Sequence, residues 1–221
     1  MHIPDGVIGA TTAAGFGAVA AGGFGIAARR TREHLSDRHI PLAALTAAFV
    51  FAAQMVNFPV IAGMSGHLLG GVLAAVLVGP AAGFVVLTVV LIVQSLVFAD
   101  GGLTALGLNI VNMGLIGAVG GYGLFRVVLA ATPRRFRSIP FAAAVAAFLA
   151  VPAAAMGFVG EFAIGGTADV SLGAVLTAML GTHVLIGIGE GVITGFVVAG
   201  VVASRRDLVL GVPEQVAARG A

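Results

Sequence analysis

Long apolar stretches alternate along this chain with short segments that carry its charged residues, prolines and glycine clusters. A helix that crosses the hydrocarbon core of a bilayer needs about 20 apolar residues. The pattern therefore predicts an all-α, polytopic membrane protein with seven transmembrane helices, at residues 7–28, 40–58, 67–79, 81–99, 106–131, 141–160 and 172–203. The third stretch is too short to cross straight, so it either borrows length from the loop before it or is a re-entrant element covered by protein.

The arginines predict how these helices are oriented, because positive residues in short loops stay on the cytoplasmic side of a membrane. They cluster after the first stretch, around the end of the fifth and after the seventh: Arg29, Arg30, Arg32, Arg38, Arg126, Arg134, Arg135, Arg137, Arg205, Arg206 and Arg219. We therefore predict an N-terminus outside, one membrane domain over residues 1–203 and a short cytoplasmic tail over residues 204–221. Four acidic residues would then lie outside, either to attract a cation or as a chance scatter: Asp5, Asp100, Glu161 and Asp169.

Composition strengthens the membrane interpretation and removes several classes of function. Only 9% of the residues are charged and the mean hydropathy is +1.12, whereas about a quarter of a soluble domain is charged. All 11 basic residues are arginines, so the chain lacks the lysine of a P-loop and is not expected to hydrolyse ATP. Cysteine is absent, which excludes thiolate metal sites, and we expect neither an enzyme nor a bound cofactor. A net charge of only +2, with arginines between apolar runs, points to the lipid bilayer rather than to nucleic acid.

The strongest chemical feature is the start of the chain, MHIPDG. It lacks the basic segment of a signal peptide, so we expect the mature chain to begin at Met1, and the size of His2 should prevent removal of the initiator methionine. Three nitrogens then lie within two residues: the Met1 amine, the His2 amide and the His2 imidazole. They can chelate a metal in one plane and leave one position empty. A fourth nitrogen would complete a square-planar set, which suits Ni(II), Cu(II) or low-spin Co(II).

His67 is the predicted fourth ligand. It lies in the glycine-rich segment GMSGHLLGG, residues 63–71, which the predicted topology assigns to the same outer face as Met1. A lone histidine near a chain terminus is more often simply exposed, but the pairing with His67 favours a metal site. Because the amine must lose its proton to bind, we expect metal affinity to fall as the pH drops below the usual amine pKa of about 8.

Polar side chains inside apolar stretches are costly to bury without partners, which makes them candidates for function. We predict that four amides orient the metal ligands or the loops around them, with helix-to-helix hydrogen bonds as an equal alternative: Asn57, Gln94, Asn109 and Asn112. The last two are spaced i, i+3 and should share a helix face. His183 and Glu190, seven residues apart, also share a face. They form either a proton relay or, as we favour, two anchors satisfied by neighbouring helices.

Long motifs carry a resemblance to a known family. They are MHIPDG (1–6), NFPV (57–60), SGHLLGG (65–71), VGP (78–80), FADGGLTALGLNIVNMG (98–114) and HVLIGIGEGVITG (183–195). With them, nearly the whole chain resembles the CbiM/NikM family, the substrate-binding membrane subunit of cobalt and nickel energy-coupling-factor transporters. The chain departs from the family pattern at Ala99, where the family often has glycine, and at residues 60–64, which read VIAGM in place of a proline- and glycine-rich loop.

The resemblance implies seven helices and a metal held by Met1, His2 and His67. It implies uptake of Co(II) for cobalamin biosynthesis across the inner (cytoplasmic) membrane of a prokaryote, with Ni(II) as the alternative. ATP would be hydrolysed by partners, which comprise a transmembrane coupling protein, cytoplasmic ABC-type ATPases and a small accessory membrane protein. Two other classes stay open at this point. One is a proton-coupled secondary transporter that uses His183 and Glu190, and the other is a purely structural membrane subunit.

Overall fold

The computed structural model describes residues 1–133 and 136–205, together with Asp207 and Val209. Within this part of the chain the protein is mostly helical. Its helices are α1 (Ala10–His34), α2 (Ile40–Met55), α3 (Gly71–Val78), α4 (Pro80–Val97), α5 (Leu106–Ala131), α6 (Ser138–Gly165) and α7 (Leu172–Ser204), with a short 3-10 turn at Asp37–His39 before α2. An antiparallel hairpin of β1 (Phe58–Ile61) and β2 (Met64–Gly66) joins α2 to the segment before α3.

Five helices are long and apolar enough to cross a membrane: α1, α4, α5, α6 and α7. They make the chain a multi-pass membrane protein. The two others are shorter, since α2 has 16 residues and α3 has eight. Helix lengths therefore support five crossings directly, and the predicted count of seven depends on how α2 and α3 contribute.

Helix α3 is the element around which the others pack. All eight of its residues are buried, and it is only about 12 Å long at the usual rise per residue. It begins at Gly71 rather than at the predicted residue 67, because residues 67–70 form an irregular segment. A short helix and irregular backbone are tolerated at membrane depth only when protein covers them, and the burial of α3 meets that condition.

Helix α5 is irregular, and this affects which side chains it presents together. Residues Val111–Gly120 are π-helical, between α-helical turns at Leu106–Ile110 and Gly121–Ala131. A π-helix has wider turns than an α-helix, so the spacing of side chains around the axis changes at Val111.

Glu161 does not lie in the external loop that the sequence predicted. Helix α6 continues to Gly165, which places Glu161 inside it with only 2% of its surface exposed. The helix continues because apolar residues follow Glu161, and the buried carboxylate accepts a hydrogen bond of 2.7 Å from Asn112 Nδ2 on α5. The other predicted acids are more accessible: Asp5 and Asp169 are exposed and Asp100 is half-buried.

The predicted cytoplasmic tail falls almost entirely outside the described residues. Helix α7 ends at Ser204, and beyond it the structure describes Arg205, Asp207 and Val209. Four of the arginines used to predict the orientation also lie outside the described part: Arg134, Arg135, Arg206 and Arg219.

Candidate metal centre

The first nine residues form a strap, buried except around Asp5 and Gly6, that is hydrogen-bonded to three connections between helices. Ser65 N donates to His2 O at 3.2 Å, and Gly102 N donates to Ile3 O at 2.9 Å. Thr167 N donates to Val7 O at 2.9 Å, so the strap also contacts the connection between α6 and α7. The start of the chain is therefore fixed on the fold by its backbone.

Glycine in the connection between α4 and α5 makes this close approach feasible. A side chain at Gly102 would place its Cβ only 2.4 Å from the backbone nitrogen of Asp5, far inside contact distance. Next to it, the Asp5 carboxylate accepts hydrogen bonds from the amide and hydroxyl of Thr104, at 2.8 and 2.5 Å. The second glycine of the FADGG motif is thus explained by the backbone that lies against it, and the first by its φ of +90°.

The strap brings the three predicted ligands together. The Met1 amine contacts Nε2 of His67 directly, and the rings of His2 and His67 lie 4.3 Å apart between their centroids. Exposure is 0% for Met1, 3% for His2 and 1% for His67. Residues that are 66 positions apart in the chain therefore share one dry pocket.

Each imidazole uses one nitrogen for a protein contact, which determines the role of the other. Nδ1 of His67 lies 2.7 Å from the carbonyl oxygen of Leu68 and must donate to it, so Nε2 presents its lone pair to the amine. Nε2 of His2 lies 3.2 Å from Oε1 of Gln94 and donates likewise. This leaves His2 Nδ1 buried, with no hydrogen-bond partner among the described residues. A metal-binding histidine is commonly oriented in this way through its second nitrogen.

A carboxylate lies beside the nitrogen that has no partner. Oδ1 of Asp100 is 3.0 Å from Nδ1 of His2, although the contact is not aligned as a hydrogen bond. A positive charge at this nitrogen, whether a proton or a metal ion, is stabilised by that carboxylate. The pKa of Asp100 is lowered because the contact with His2 and a hydrogen bond from Asn57 outweigh the opposing effect of burial, so the carboxylate is ionised at neutral pH.

Burial also favours the neutral form of the candidate ligands, which is the form that can bind a metal. It lowers the pKa of the Met1 amine well below the ordinary value of 8.0, with only partial opposition from the charges of Asp100 and Glu190. Burial likewise lowers the pKa of His2 and, together with the positive charge of the amine, lowers that of His67 well below 6.5. Metal ligands of this type must be unprotonated to bind, and burial shifts each of these groups toward that form.

Three of the four predicted amides contact either the strap or the carboxylate of Asp100 beside it. Gln94 contacts His2 as described, and Asn57 Nδ2 donates to Asp100 Oδ2 at 2.9 Å. Asn109 binds both backbone groups of Ile3: its Oδ1 accepts from the amide at 2.9 Å and its Nδ2 donates to the carbonyl at 3.3 Å. The contacts of Gln94 and Asn109 hold His2 and Ile3 in place.

For Asn112 the structure shows the equal alternative, a hydrogen bond between helices. Asn112 donates to Glu161 and so connects α5 to α6. The predicted shared face with Asn109 assumed α-helical geometry, whereas the π-helical segment begins at Val111, between the two residues. The wider turn removes the i, i+3 relation on which the prediction depended.

Side chains from α7 and α2 hold the segment that follows His67, and the sequence analysis did not single out the one on α2. Glu190 on α7 accepts hydrogen bonds from the amides of Leu69, at 2.5 Å, and Gly70, at 2.8 Å. Gln54 on α2 donates to the carbonyl of Leu69 at 2.7 Å. Glu190 is thus an anchor, the alternative favoured from the sequence. Gln54 carried the same signal as Gln94, a buried amide in an apolar stretch, but was not singled out.

His183 and Ser65 complete the polar groups near the site. Nδ1 of His183 donates to the carbonyl of Met179 at 2.7 Å, and its Nε2 has no partner among the described residues. Ser65 Oγ accepts a hydrogen bond of 3.2 Å from the amide of His2, one of the proposed donor atoms. Ser65 was not predicted, although its position two residues before His67 placed it near the site.

Side chains alone do not form a metal site here. Among the described residues, no cluster of three or more histidine, cysteine, aspartate or glutamate side chains is arranged to hold a metal ion.

Comparison with known proteins decides the family. The model of the cobalt uptake substrate-specific transmembrane region, CbiM, matches residues 2–208. The chain belongs to the CbiM family. It is therefore a component of a membrane metal transporter, and such a component is not an enzyme.

Similar CbiM-family proteins have been described for both cobalt and nickel. A candidate metal transport protein of Haloquadratum walsbyi is 39% identical over 209 residues, 95% of this chain and 93% of its own length. The cobalt transport protein CbiM of Geobacter sulfurreducens is 39% identical over 154 residues, 68% of this chain and 42% of that protein. The fused nickel transport protein NikMN of Rhodobacter capsulatus is 40% identical over 117 residues, 53% of this chain and 34% of that protein.

Solved structures agree with the CbiM assignment. The fold matches a crystal structure of a transition metal transporter with a TM-score of 0.85 and 31% identity, over 96% of each chain. A truncated transition metal transporter matches with a TM-score of 0.84 and 31% identity, over 92% of this chain and 99% of the other.

Proposed function

We propose that this CbiM-family chain captures Co(II) from outside the cell, as the substrate-binding subunit of an ATP-driven energy-coupling-factor transporter. The observation that carries the proposal is the contact between the buried Met1 amine and Nε2 of His67. With the amide and Nδ1 of His2, they supply four nitrogens around one point. Such a donor set suits a square-planar divalent ion and contains no ligand typical of structural zinc sites except imidazole.

Binding would exchange protons and hydrogen bonds for metal–nitrogen bonds. The amide of His2 must lose its proton, which removes its hydrogen bond to Ser65 Oγ. The metal would lie between the Met1 amine and His67 Nε2, where these atoms now contact each other. Asp100 then balances part of the added positive charge at Nδ1 of His2. The amides of Gln94 and Asn109 would keep the strap in place through the exchange.

Cobalt is proposed first and nickel second. The family description names cobalt uptake, whereas some relatives are nickel transport proteins, and four nitrogen donors accept both ions. The proposed destination of the cobalt is cobalamin biosynthesis. Energy would come from a transmembrane coupling protein and cytoplasmic ABC-type ATPases, with a small accessory membrane protein as a further partner.

The proposed orientation places the pocket at the outer face of a prokaryotic cytoplasmic membrane. The pocket lies where α1 and α5 begin and where α4 ends, whereas Arg29, Arg30 and Arg32 lie near the end of α1. Positive residues favour the cytoplasmic side. The N-terminus would then be outside and the C-terminal tail inside, with α2 and α3 completing seven membrane helices.

The test is metal binding by the purified full chain with its native first residue. We expect one Co(II) per chain with the absorption and magnetic properties of a low-spin, planar nitrogen site. A retained N-formyl group on Met1 blocks the amine and should abolish binding, and so should His2→Ala and His67→Ala, while helical content stays unchanged. Undiminished binding by the formylated chain would refute the proposed ligand set.

A proton-coupled secondary transporter is the rival. Glu190 argues against it, because both carboxylate oxygens already accept hydrogen bonds from backbone amides. Uptake into vesicles separates the two. Dependence on ATP and the partner subunits supports the proposal, and uptake that is abolished by a protonophore without any need for ATP supports the rival.

A further inference from the structure

A second cavity lies at the opposite end of the molecule from the metal pocket. It has a volume of about 670 Å³ and runs beside the second half of α1, under the junction of α3 and α4 and against α5. Its apolar wall includes Gly23, Ala27, Phe84, Leu115 and Val119, and its polar end has Arg30, Thr31 and His34. This volume is within the range of small-molecule sites. We call it the α1 groove.

The α1 groove exists because α3, the helix before the turn into α4, is short. Helix α3 ends at Val78, and α4 begins at Pro80 directly after Gly79, which adopts a left-handed φ of 86°. The chain therefore turns back sharply and leaves the space beyond this junction unfilled. Helix α1 has the smallest buried share of the five helices in the described part of the chain that are long enough to cross a membrane, so much of its surface is left uncovered there.

The groove changes from apolar to positively charged along its length. From Gly23 to Leu35 it follows about 18 Å of α1 at the usual helical rise. Arg29 is engaged with Glu33 at 3.0 Å, but no carboxylate among the described residues pairs with Arg30. The hydroxyl oxygen of Thr31 is buried and lacks a hydrogen-bond partner within the described residues. Nδ1 of His34 is bound to the carbonyl of Arg30, which leaves Nε2 to face outward.

We infer that the α1 groove binds one anionic phospholipid, with an acyl chain along the apolar wall and its phosphate at Arg30, Thr31 and His34. An apolar channel that leads to a guanidinium, an imidazole and a hydroxyl matches a lipid in shape and charge. Basic pockets between membrane helices on the cytoplasmic side recognise acidic lipid headgroups. This inference does not depend on the proposed metal transport.

The experiment compares lipid binding by the full chain and four variants in detergent. Delipidated protein receives either phosphatidylglycerol or phosphatidylcholine with identical acyl chains, and bound lipid is counted by native mass spectrometry together with the shift in Tm. Arg30→Gln tests the headgroup end, and Ile26→Trp fills the apolar part from an exposed lining position. Arg32→Gln is the matched control, because Arg32 is exposed on the same helix but does not line the groove. Val89→Trp, at an exposed position of α4 outside the groove, controls for added bulk.

We expect the wild type to retain phosphatidylglycerol about fivefold more tightly than phosphatidylcholine, the effect of one well-placed arginine. Arg30→Gln should remove that preference and Ile26→Trp should reduce binding of both lipids, whereas the two controls behave like wild type. Equal loss with Arg32→Gln would mean diffuse surface attraction and would overturn the inference. The inference also fails if inorganic phosphate stabilises the protein as well as the lipid does. It fails as well if Arg30→Gln leaves lipid binding intact but prevents association with the coupling protein, since the groove would then be a protein interface.

Discussion

Two irregular segments meet at the metal pocket, and they are held in different ways. The N-terminal strap is fixed by the connections between helices, through Ser65, Gly102 and Thr167. The segment after His67 is fixed from inside the bundle, by Gln54 on α2 and Glu190 on α7. Three nitrogens of the proposed site belong to the first segment and one belongs to the second. A relative movement of α2 and α7 can therefore displace His67 while the strap stays in place, which offers a physical route to release.

The largest expected effect comes from the anchor of the His67 segment. Glu190→Gln replaces an oxygen that accepts a backbone N–H by an amide group that cannot accept one, so either Leu69 or Gly70 loses its partner. Residues that orient metal ligands typically contribute 10- to 100-fold to affinity. We expect Co(II) affinity, measured by competition with a chelator, to fall by about that factor while helical content is retained.

Glu161→Gln is the matched control for this substitution. Glu161 is also a buried glutamate in a membrane helix, but its recorded hydrogen bond is with Asn112 and not with the His67 segment. The Glu161→Gln variant should bind Co(II) with an affinity within about twofold of wild type. Equal losses for the two variants would show that general destabilisation, and not the position of His67, sets the affinity.

The second effect concerns the strap. Gly102→Ala places a Cβ where only 2.4 Å separates it from the backbone nitrogen of Asp5, so the strap must move away from the connection between α4 and α5. Overpacking of this kind typically costs about 1–3 kcal/mol. We expect roughly tenfold weaker Co(II) binding, because 1.4 kcal/mol corresponds to a factor of ten, together with a lower Tm.

Gly15→Ala provides the control for a glycine in open space. A Cβ at Gly15 meets nothing within 4 Å, and alanine is the better residue within a helix. This variant should bind Co(II) like wild type. If Gly102→Ala also bound Co(II) like wild type, the position of the strap would not depend on the close backbone approach at Gly102.

The third prediction concerns the number of protons released when Co(II) binds. The sequence alone suggested an ordinary amine pKa of about 8, whereas the buried amine has a lowered pKa. An exposed amine with a pKa near 8 would still be protonated at pH 7 and would release a proton together with the His2 amide. Burial lowers the pKa of the amine well below 8.0 and also lowers those of His2 and His67. The lowered pKa values reduce the share of amine protons that the metal must displace at pH 7, so calorimetry in buffers of different ionisation enthalpy should give closer to one proton than to two per Co(II).

The sign of the pH dependence follows from the same lowered pKa values. Above them, affinity should fall about tenfold for each unit of decreasing pH, because one amide proton competes with the metal. Below them, the amine and imidazoles bind protons too, and the fall becomes steeper. Release of two protons at pH 7 would show that the amine is accessible to water in the metal-free protein. Release of none would exclude the amide as a ligand.

The sequence predicted the features that depend on composition and on strong local signals. The apolar stretches located every helix, and the 106–131 stretch has the bounds of α5. The pairing of His2 with His67 followed from the chemistry of the donor atoms, and the structure places these residues together, while metal binding itself stays a prediction. Glu161 was misplaced because the buried pair that it forms with Asn112 depends on tertiary packing, which a hydropathy pattern does not contain.

The smallest expected effect tests the connection that supports the strap. Ala99 has a φ of +53°, a left-handed conformation in which a side chain is disfavoured. Ala99→Gly relieves that conformation but makes the unfolded chain more flexible, which offsets part of the gain. We expect a net stabilisation of up to about 1 kcal/mol, seen as a Tm increase of a few degrees, with unchanged Co(II) affinity because Ala99 is exposed and has no role as a ligand. Ala14→Gly, in the middle of α1, should instead lower the Tm. A drop in Tm for both variants would mean that the left-handed backbone at Ala99 carries no conformational cost.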